Sequence, residues 1–448
     1  MTDLSATVAG LLPGVLADLA DFVAIPSVSA QTQHQADVDR SAAAVASLLE
    51  GAGCPDTRIV REGGHPAVIA RYPAPAGAPT LCLYAHHDVQ PAGDPSGWTT
   101  DPFVVCERDG RLYGRGVVDD KAGIGVHLAA LRAFDGQPPV GVTVVVEGEE
   151  EIGSPSLGAI LERHTDLLRA DAYVICDSAN WQVGTPALTT TLRGLADVVV
   201  EVTTLDHPLH SGQYGGAVPD ALTALVRLLS TLHDDRGEVA VAGLTAAPEP
   251  TLDYPEDRIR TETGILPGGD LIGSGPLAGR LWSRPAISVL AVDAPGTAEA
   301  ANTLLARARA KVSVRVAPTQ SSAEALAALK EHLRTHTPWG AQVSFDAETH
   351  ADGTVVPTDG PVARAAVAAL SQAWGVDPVE TGQGGSIPIV ADFCRVFPEA
   401  EVLVTAVCDP DSRMHGFDES LHLQDFERAC LAETLLLHRL RTTTTGAA

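Results

Sequence analysis

Carboxylates and imidazoles collect at the ends of apolar runs in this 448-residue chain. TLCLYAHHD ends in His86, His87 and Asp88, GVTVVVEGEEE in Glu149, Glu150 and Glu151, and ADAYVICD in Asp177. Asp119 and Asp120 form a doublet in GRGVVDDKAG, and His415 stands in RMHGFDESL. Carboxylate and imidazole donors suit zinc, cobalt or manganese, and the sequence has no CxxC pair for a cysteine-held structural zinc. A carboxylate shared by two ions keeps them ~3.5–4 Å apart. A spare glutamate beside them can take a proton from water. His-x-Asp after a strand suits a ligand imidazole steadied by a carboxylate on its far ring nitrogen.

Each piece also has a plain reading. Two aspartates before a helix stabilise its N-terminus by ~0.3–1 kcal/mol. Three glutamates can form a solvated loop, although adjacent charges at the end of a buried strand repel unless a cation or solvent relieves them. Asp177 can serve a turn, and His415 can be a surface histidine. These plain readings must all hold at once, at positions that suit one rim. In open α/β sheets, sites form beyond the carboxyl ends of the strands.

The elements that must position these residues follow from hydrophobic periodicity. Strands are expected at 80–88, 141–151 and 170–177, and helices at 37–52, 120–134 and 154–164, the last with Ser154 and Pro155 as its start. This alternation predicts an α/β sheet with helices on both faces. The middle of the chain follows another pattern, with a strand at 195–202, a helix at 220–232, strands at 286–293 and 311–318, a helix at 321–336 and a strand at 341–348. That order is β-α-β-β-α-β, a ferredoxin-like α+β arrangement. The Pro/Gly-rich stretch 243–285 is expected to be a loop-rich insertion with a short helix. The tail returns to the α/β pattern with a helix at 361–374, a strand at 401–407 and a long helix at 421–441.

The fold expected is therefore a mixed-sheet α/β catalytic domain interrupted by a smaller inserted domain. Its segments are 1–187 and 351–448, with the insertion at 188–350. Hydrophobic residues make up 45% of the chain and aromatic ones 4%, so the core must rest on Ala, Val, Leu and Ile. A net charge of −27 disfavours nucleic acid and anionic membranes as partners. The first 27 residues lack the basic start of a secretory signal, and Asp18 and Asp21 break their apolar run into an amphipathic helix. No run is expected to reach the ~20 apolar residues of a membrane span. Seven scattered cysteines fit buried, reduced thiols in a cytoplasmic protein.

Taken together, YAHHDVQPAGD, GRGVVDDKAG, EGEEEIGS, VICDS and MHGFDES resemble the M20 metallopeptidases, particularly the branch of carnosinases and cytosolic nonspecific dipeptidases. HPLHSGQYGG, SVRVAP and GQGGSIPIV resemble further motifs of that branch. The resemblance implies two divalent ions per subunit, zinc first, with manganese or cobalt as alternatives. It implies that His86 and Asp177 bind one ion, that Glu151 and His415 bind the other, and that Asp119 bridges them. Asp88 would orient His86. Glu150 would be the general base toward a water held between the ions. The Asp119–Asp120 peptide would be cis.

The resemblance further implies that His210 reaches across a homodimer, formed through the inserted lid and dimerisation domain, to steady the oxyanion. Arg315 would grip a substrate carboxylate, and Gly385 and Ser386 would contact the substrate. The Ile-Gly-Ser that follows favours Glu150 and Glu151 as the functional pair, with a register including Glu149 as the competitor. His87 is extra relative to the family and is expected to point away from the metals, since alternate strand side chains face opposite ways. His127, inside an apolar helix, reads as core. The activity implied is hydrolysis of dipeptides or similarly short peptides. An N-acyl amino acid deacylase or carboxypeptidase of the same family is one alternative. A non-catalytic metal- or peptide-binding protein is the other, and retention of every expected ligand counts against it.

Overall fold

The structure is a computed structural model and describes residues 3–385 and 388–441. Ten strands make its two large sheets: β1 (Asp56–Val60), β2 (Ala67–Tyr72), β3 (Thr80–His86), β4 (Gly141–Glu147), β5 (Ala172–Ile175), β6 (Gly194–Thr203), β7 (Ala286–Asp293), β8 (Arg307–Val316), β9 (Gln342–Ala351) and β10 (Glu401–Val404). The main helices are α1 (Leu4–Val23), α2 (Gln35–Gly51), α3 (Lys121–Arg132), α4 (Ala221–Leu229), α5 (Ser322–Thr335), α6 (Pro361–Trp374) and α7 (Leu423–Leu440). The chain forms two units. The first comprises Met1–Thr190, Val356–Thr381 and Pro388–Ala448, the second Thr191–Val355 and Gly382–Ile387.

In the first unit the sheet order is β1-β2-β4-β3-β5-β10. Strands β4, β3, β5 and β10 run parallel, while β1 and β2 are antiparallel additions at one edge. Every residue of β4 is buried, as are the last six of β3. A strand covered by helices on both faces must be apolar on both, which is why these runs show no alternation. Leu83, Val144 and Val174 are each at most 1% exposed, and burying a side chain of this kind contributes ~1.5–3 kcal/mol. Helices α2 and α3 pack into this core, and α6 and α7 join them.

Two sequence expectations change here. Helix α1 is long and apolar enough to cross a membrane by length and composition, with mean hydropathy 1.5, contrary to the expectation that no such run exists. Its Asp18 and Asp21 do not disqualify it on that criterion. Val8, Val15, Leu19 and Val23 are nevertheless buried among Val126, Phe426 and Cys430, and Asp18 pairs with Arg132 of α3 at 2.6 Å. The helix expected at 154–164 begins only at Leu157. Ser154 instead has a left-handed φ of 52°, and its N–H bonds back to the carbonyl of Glu149.

The second unit holds an antiparallel sheet of order β7-β8-β6-β9. Helices α4 and α5 pack through Leu225, Leu228, Ala325 and Leu329 against Val198, Val200, Val312 and Val314. This is the β-α-β-β-α-β order read from periodicity. The Pro/Gly-rich stretch contains two short helices, Glu256–Thr263 and Leu277–Trp282. The sheet extends to Ala351 opposite Leu195, and Thr354 then pairs with Leu192. Backbone pairing therefore carries the second unit several residues past the point where the hydrophobic pattern fades.

Candidate metal centre

The parallel strands of the first unit end on one edge. β3 delivers His86 as its last residue, opposite Glu147 at the end of β4. Asp177 follows two residues after β5. Two groups of three donors form, His86 with Asp120 and Asp177, and Asp119 with Glu151 and His415, and within each group the donor atoms lie within 4.8 Å of one another. Asp119 touches both: its Oδ1 is 3.2 Å from His86 Nε2, and its Oδ2 is 3.0 Å from His415 Nε2. Glu151 Oε2 lies 3.2 Å from the same His415 nitrogen.

Surrounding residues hold these donors. His86 Nδ1 is 3.0 Å from the main-chain carbonyl of Asp88 and 3.5 Å from its carboxylate. That carboxylate accepts the N–H groups of Glu150 and Glu151, both at 3.2 Å. Asp88 thus orients the imidazole chiefly through its backbone, and its side chain anchors the turn that carries the two glutamates. Glu149 is committed elsewhere, accepting from the N–H of His65 at 2.7 Å and from the N–H and Oγ of Ser156 at 3.0 and 2.5 Å. Gln90 donates from its backbone and its side chain to the Glu151 carboxylate.

The segment carrying Asp119 is tied from the far end of the chain. Glu419, 0% exposed, accepts the N–H groups of Gly116, Val118 and Asp119 and pairs with Arg115. The Asp119–Asp120 peptide is cis. Lys121 buries its ammonium against the carbonyls of Phe22 and Ile25, at 2.9 and 2.8 Å. Asp120 precedes α3 but makes no side-chain cap bond there. Its Oδ2 accepts the backbone N–H of His86 at 3.2 Å.

Electrostatics show what the group lacks. Burial, reinforced by the charges of Glu151, Asp119 and Asp88 and opposed by His86, pushes Glu150 up to about 7. Burial and neighbouring acids likewise drive Asp120 and Asp177 well above the usual carboxylate range. Burial also opposes ionisation of Asp119, but hydrogen bonds from His415 and His86 outweigh it and hold its carboxyl low. The hydrogen bonds that His415 donates to Asp119 and Glu151 raise its own pKa to about 10. Two imidazoles do not balance this many acids. Asp120 Oδ1 is buried without a hydrogen-bond partner. An acid-rich set of oxygen and imidazole donors with positive charge in deficit fits divalent ions.

Of the residues singled out in the sequence, His86, Asp88, Asp119, Glu150, Glu151, Asp177 and His415 come together in the first unit. His87 does not join them; its Nε2 bonds the carbonyl of Pro66 at 2.9 Å, and burial lowers its pKa to about 4. His127 pairs with Glu433 at 2.9 Å in the core. His210, Arg315 and Gly385 belong to the second unit. His210 is exposed, and its Nδ1 accepts the N–H of Gly212 at 3.1 Å. Ser386 lies outside the described residues. Sequence reasoning missed Asp120 as a donor and Glu419 as an anchor. The Asp doublet carried a signal for the first, and the acid four residues after His415 carried one for the second.

Comparison with known proteins gives a consistent result. Residues 82–439 match the model of peptidase family M20/M25/M40. The cysteinylglycine-S-conjugate dipeptidase of Corynebacterium striatum is 35% identical, over 94% of this chain and 94% of that protein. Two solved structures share the fold over 98% of both chains at 24% identity. They are the di-peptidase Dug1p from Saccharomyces cerevisiae, with TM-score 0.80, and human carnosine dipeptidase 1, with TM-score 0.81.

Proposed function

The chain belongs to peptidase family M20/M25/M40, and from that premise we propose that it hydrolyses the amide bond of dipeptides or similarly short peptides with two divalent ions. The observation that carries this reading is the Asp119 carboxylate, whose two oxygens each meet a different histidine, with three further acids, Asp120, Glu151 and Asp177, beside them. His86 and Asp177 would hold one ion, Glu151 and His415 the other, and Asp119 both. Asp120, grouped with His86 and Asp177, would support the first. Ions bound there supply concentrated positive charge, which polarises a carbonyl and makes water a stronger acid.

Glu150 takes a proton from the attacking water as the new C–O bond forms. It returns that proton to the leaving nitrogen as the C–N bond breaks, so no covalent enzyme intermediate is required. Asp88 keeps Glu150 in place through the amides of the turn. His210 steadies the oxyanion and Arg315 binds the substrate's carboxylate, with Gly385 and Ser386 against the substrate.

Zinc as the ion, residence in the cytoplasm and a homodimer through the second unit belong to the same reading. All seven cysteines are free, five of them buried. Edge strand β7 exposes Val289, Leu290 and Val292, an apolar row suited to a second copy.

The test is a metal-depleted sample offered dipeptides and N-acetyl amino acids, with zinc, manganese and cobalt restored one at a time. Cleavage of dipeptides with at least one metal is the expected result. Turnover confined to N-acetyl amino acids would move the chain to the deacylases, and no turnover with any metal would leave a binding protein.

A further inference from the structure

Arg193 is a buried charge with no partner of opposite sign among the described residues. It is 8% exposed. Its Nε donates to the carbonyl of Gly384 at 3.2 Å, and one terminal nitrogen donates to the carbonyls of Arg280 and Arg284, both at 3.3 Å. No carboxylate among the described residues pairs with it, and its other terminal nitrogen makes no hydrogen bond to them. That open nitrogen faces Gly384, where a Cβ would sit only 2.9 Å away. A glycine there keeps the approach to the guanidinium clear.

A second arginine adjoins it. Arg315 on β8 stands opposite Leu195 of β6. Leu195 is two residues past Arg193, which immediately precedes β6, and the charge of Arg315 is felt at Arg193. Arg315 is half-buried and likewise has no acid partner among the described residues. Burial, and then the charge of Arg315, lower the pKa of Arg193 to about 10, which leaves it charged at neutral pH. Taking a guanidinium out of water is costly unless an anion or strong dipoles answer it. Three carbonyls answer part of the charge. In a chain with 57 acids against 30 Lys and Arg, two adjoining arginines left without an acid leave room for an anion from outside.

We propose that Arg193 and Arg315 together form a two-cation receptor for a carboxylate, and that Arg193 selects peptides with a free C-terminal carboxylate over those with a neutral terminus. This rests on the short-peptide reading above and adds to it a specificity-determining residue. Arg315 can meet the carboxylate with its planar fork, and Arg193 adds one nitrogen beside the glycine loop.

The test measures binding apart from hydrolysis. The metal-loaded full chain is titrated calorimetrically with the reduced-bond analogue of alanyl-alanine, once as the free acid and once as its C-terminal carboxamide. Wild type should bind the acid more tightly. In Arg193→Met that preference should fall at least about tenfold, while affinity for the carboxamide stays unchanged. An undiminished preference in a variant that unfolds at the wild-type temperature would overturn the proposal. If Arg193→Met does not fold, Arg193→Lys decides in the same way, because lysine keeps the charge but lacks the nitrogen that faces Gly384. Failure of the hydrolase reading shows separately, as absent turnover with an intact, Arg193-dependent acid preference.

Discussion

His86 and His415 meet opposite oxygens of one carboxylate, yet they reach it on different kinds of chain. His86 ends a buried parallel strand, is 0% exposed and has its second ring nitrogen fixed by the Asp88 carbonyl. His415 sits on a loop with φ of +60°, a region few non-glycine residues enter, and its side chain is 57% exposed. The His86 group is positioned by the sheet. The His415 group depends on ties made across the chain: Arg115 bonds the carbonyl of Gly416, and Glu419 accepts three amides from the Asp119 segment. One half of a two-ion site can thus be built by secondary structure and the other by a polar network, with Asp119 common to both.

The largest expected effect falls on the residue both groups serve. Glu150→Gln should lower kcat by ~10²–10⁴-fold while bound-metal content, read by atomic absorption, stays at the wild-type level. Loss of metal along with activity would make Glu150 a ligand and redraw the division between the groups. Next is the network under the loop-borne half. Glu419→Ala leaves Arg115 charged and buried, and removing one partner of such a pair costs about 3–5 kcal/mol. Chemical denaturation should register that loss. A cost under ~1 kcal/mol, the range of an exposed pair, would mean the loop holds itself.

A paired substitution separates the halves directly. His86→Ala should lower both zinc affinity and stability, the latter by ~1–3 kcal/mol, because buried acceptors lose their donor. His415→Ala should lower zinc affinity and leave the metal-free melting temperature nearly unchanged. Equal melting temperatures for the two metal-free variants would erase the distinction.

The smallest effect is a pH dependence beneath the strand-borne half. Burial disfavours the charged form of His127, but the charge and hydrogen bond of Glu433 outweigh it and raise its pKa in the folded state. The stability this contributes is fully present below the unfolded value of ~6.5. It disappears as pH rises through the folded value. His127→Gln should flatten that part of the melting-temperature profile, and an unchanged profile would show that the pair contributes nothing to it.

Much of this was legible in the sequence. Apolar runs ending in His86-His87-Asp88, Glu149-Glu150-Glu151 and Asp177 announced buried strands whose ends carry chemistry, and the middle order announced the second sheet. Strands β1 and β2, at one end of the sheet, escaped notice because they are short, and β1 is mostly polar. Asp120 escaped because an acid before a helix has a good local explanation, as a cap it turns out not to make. Nothing in the sequence around Arg193 indicated that its charge would be buried among carbonyls.

Local periodicity and residue type by themselves determined most of the strands and helices, and which of the buried strands end in donors. Only the tertiary structure decided that Glu149 turns toward Ser156 while Glu151 turns toward His415, that the Asp88 carboxylate serves amides, and that Glu419 holds a segment 300 residues earlier. The reason is that a polar side chain goes where a buried donor or acceptor is left over. Which groups are left over depends on how distant segments pair, and no local window of sequence contains that information.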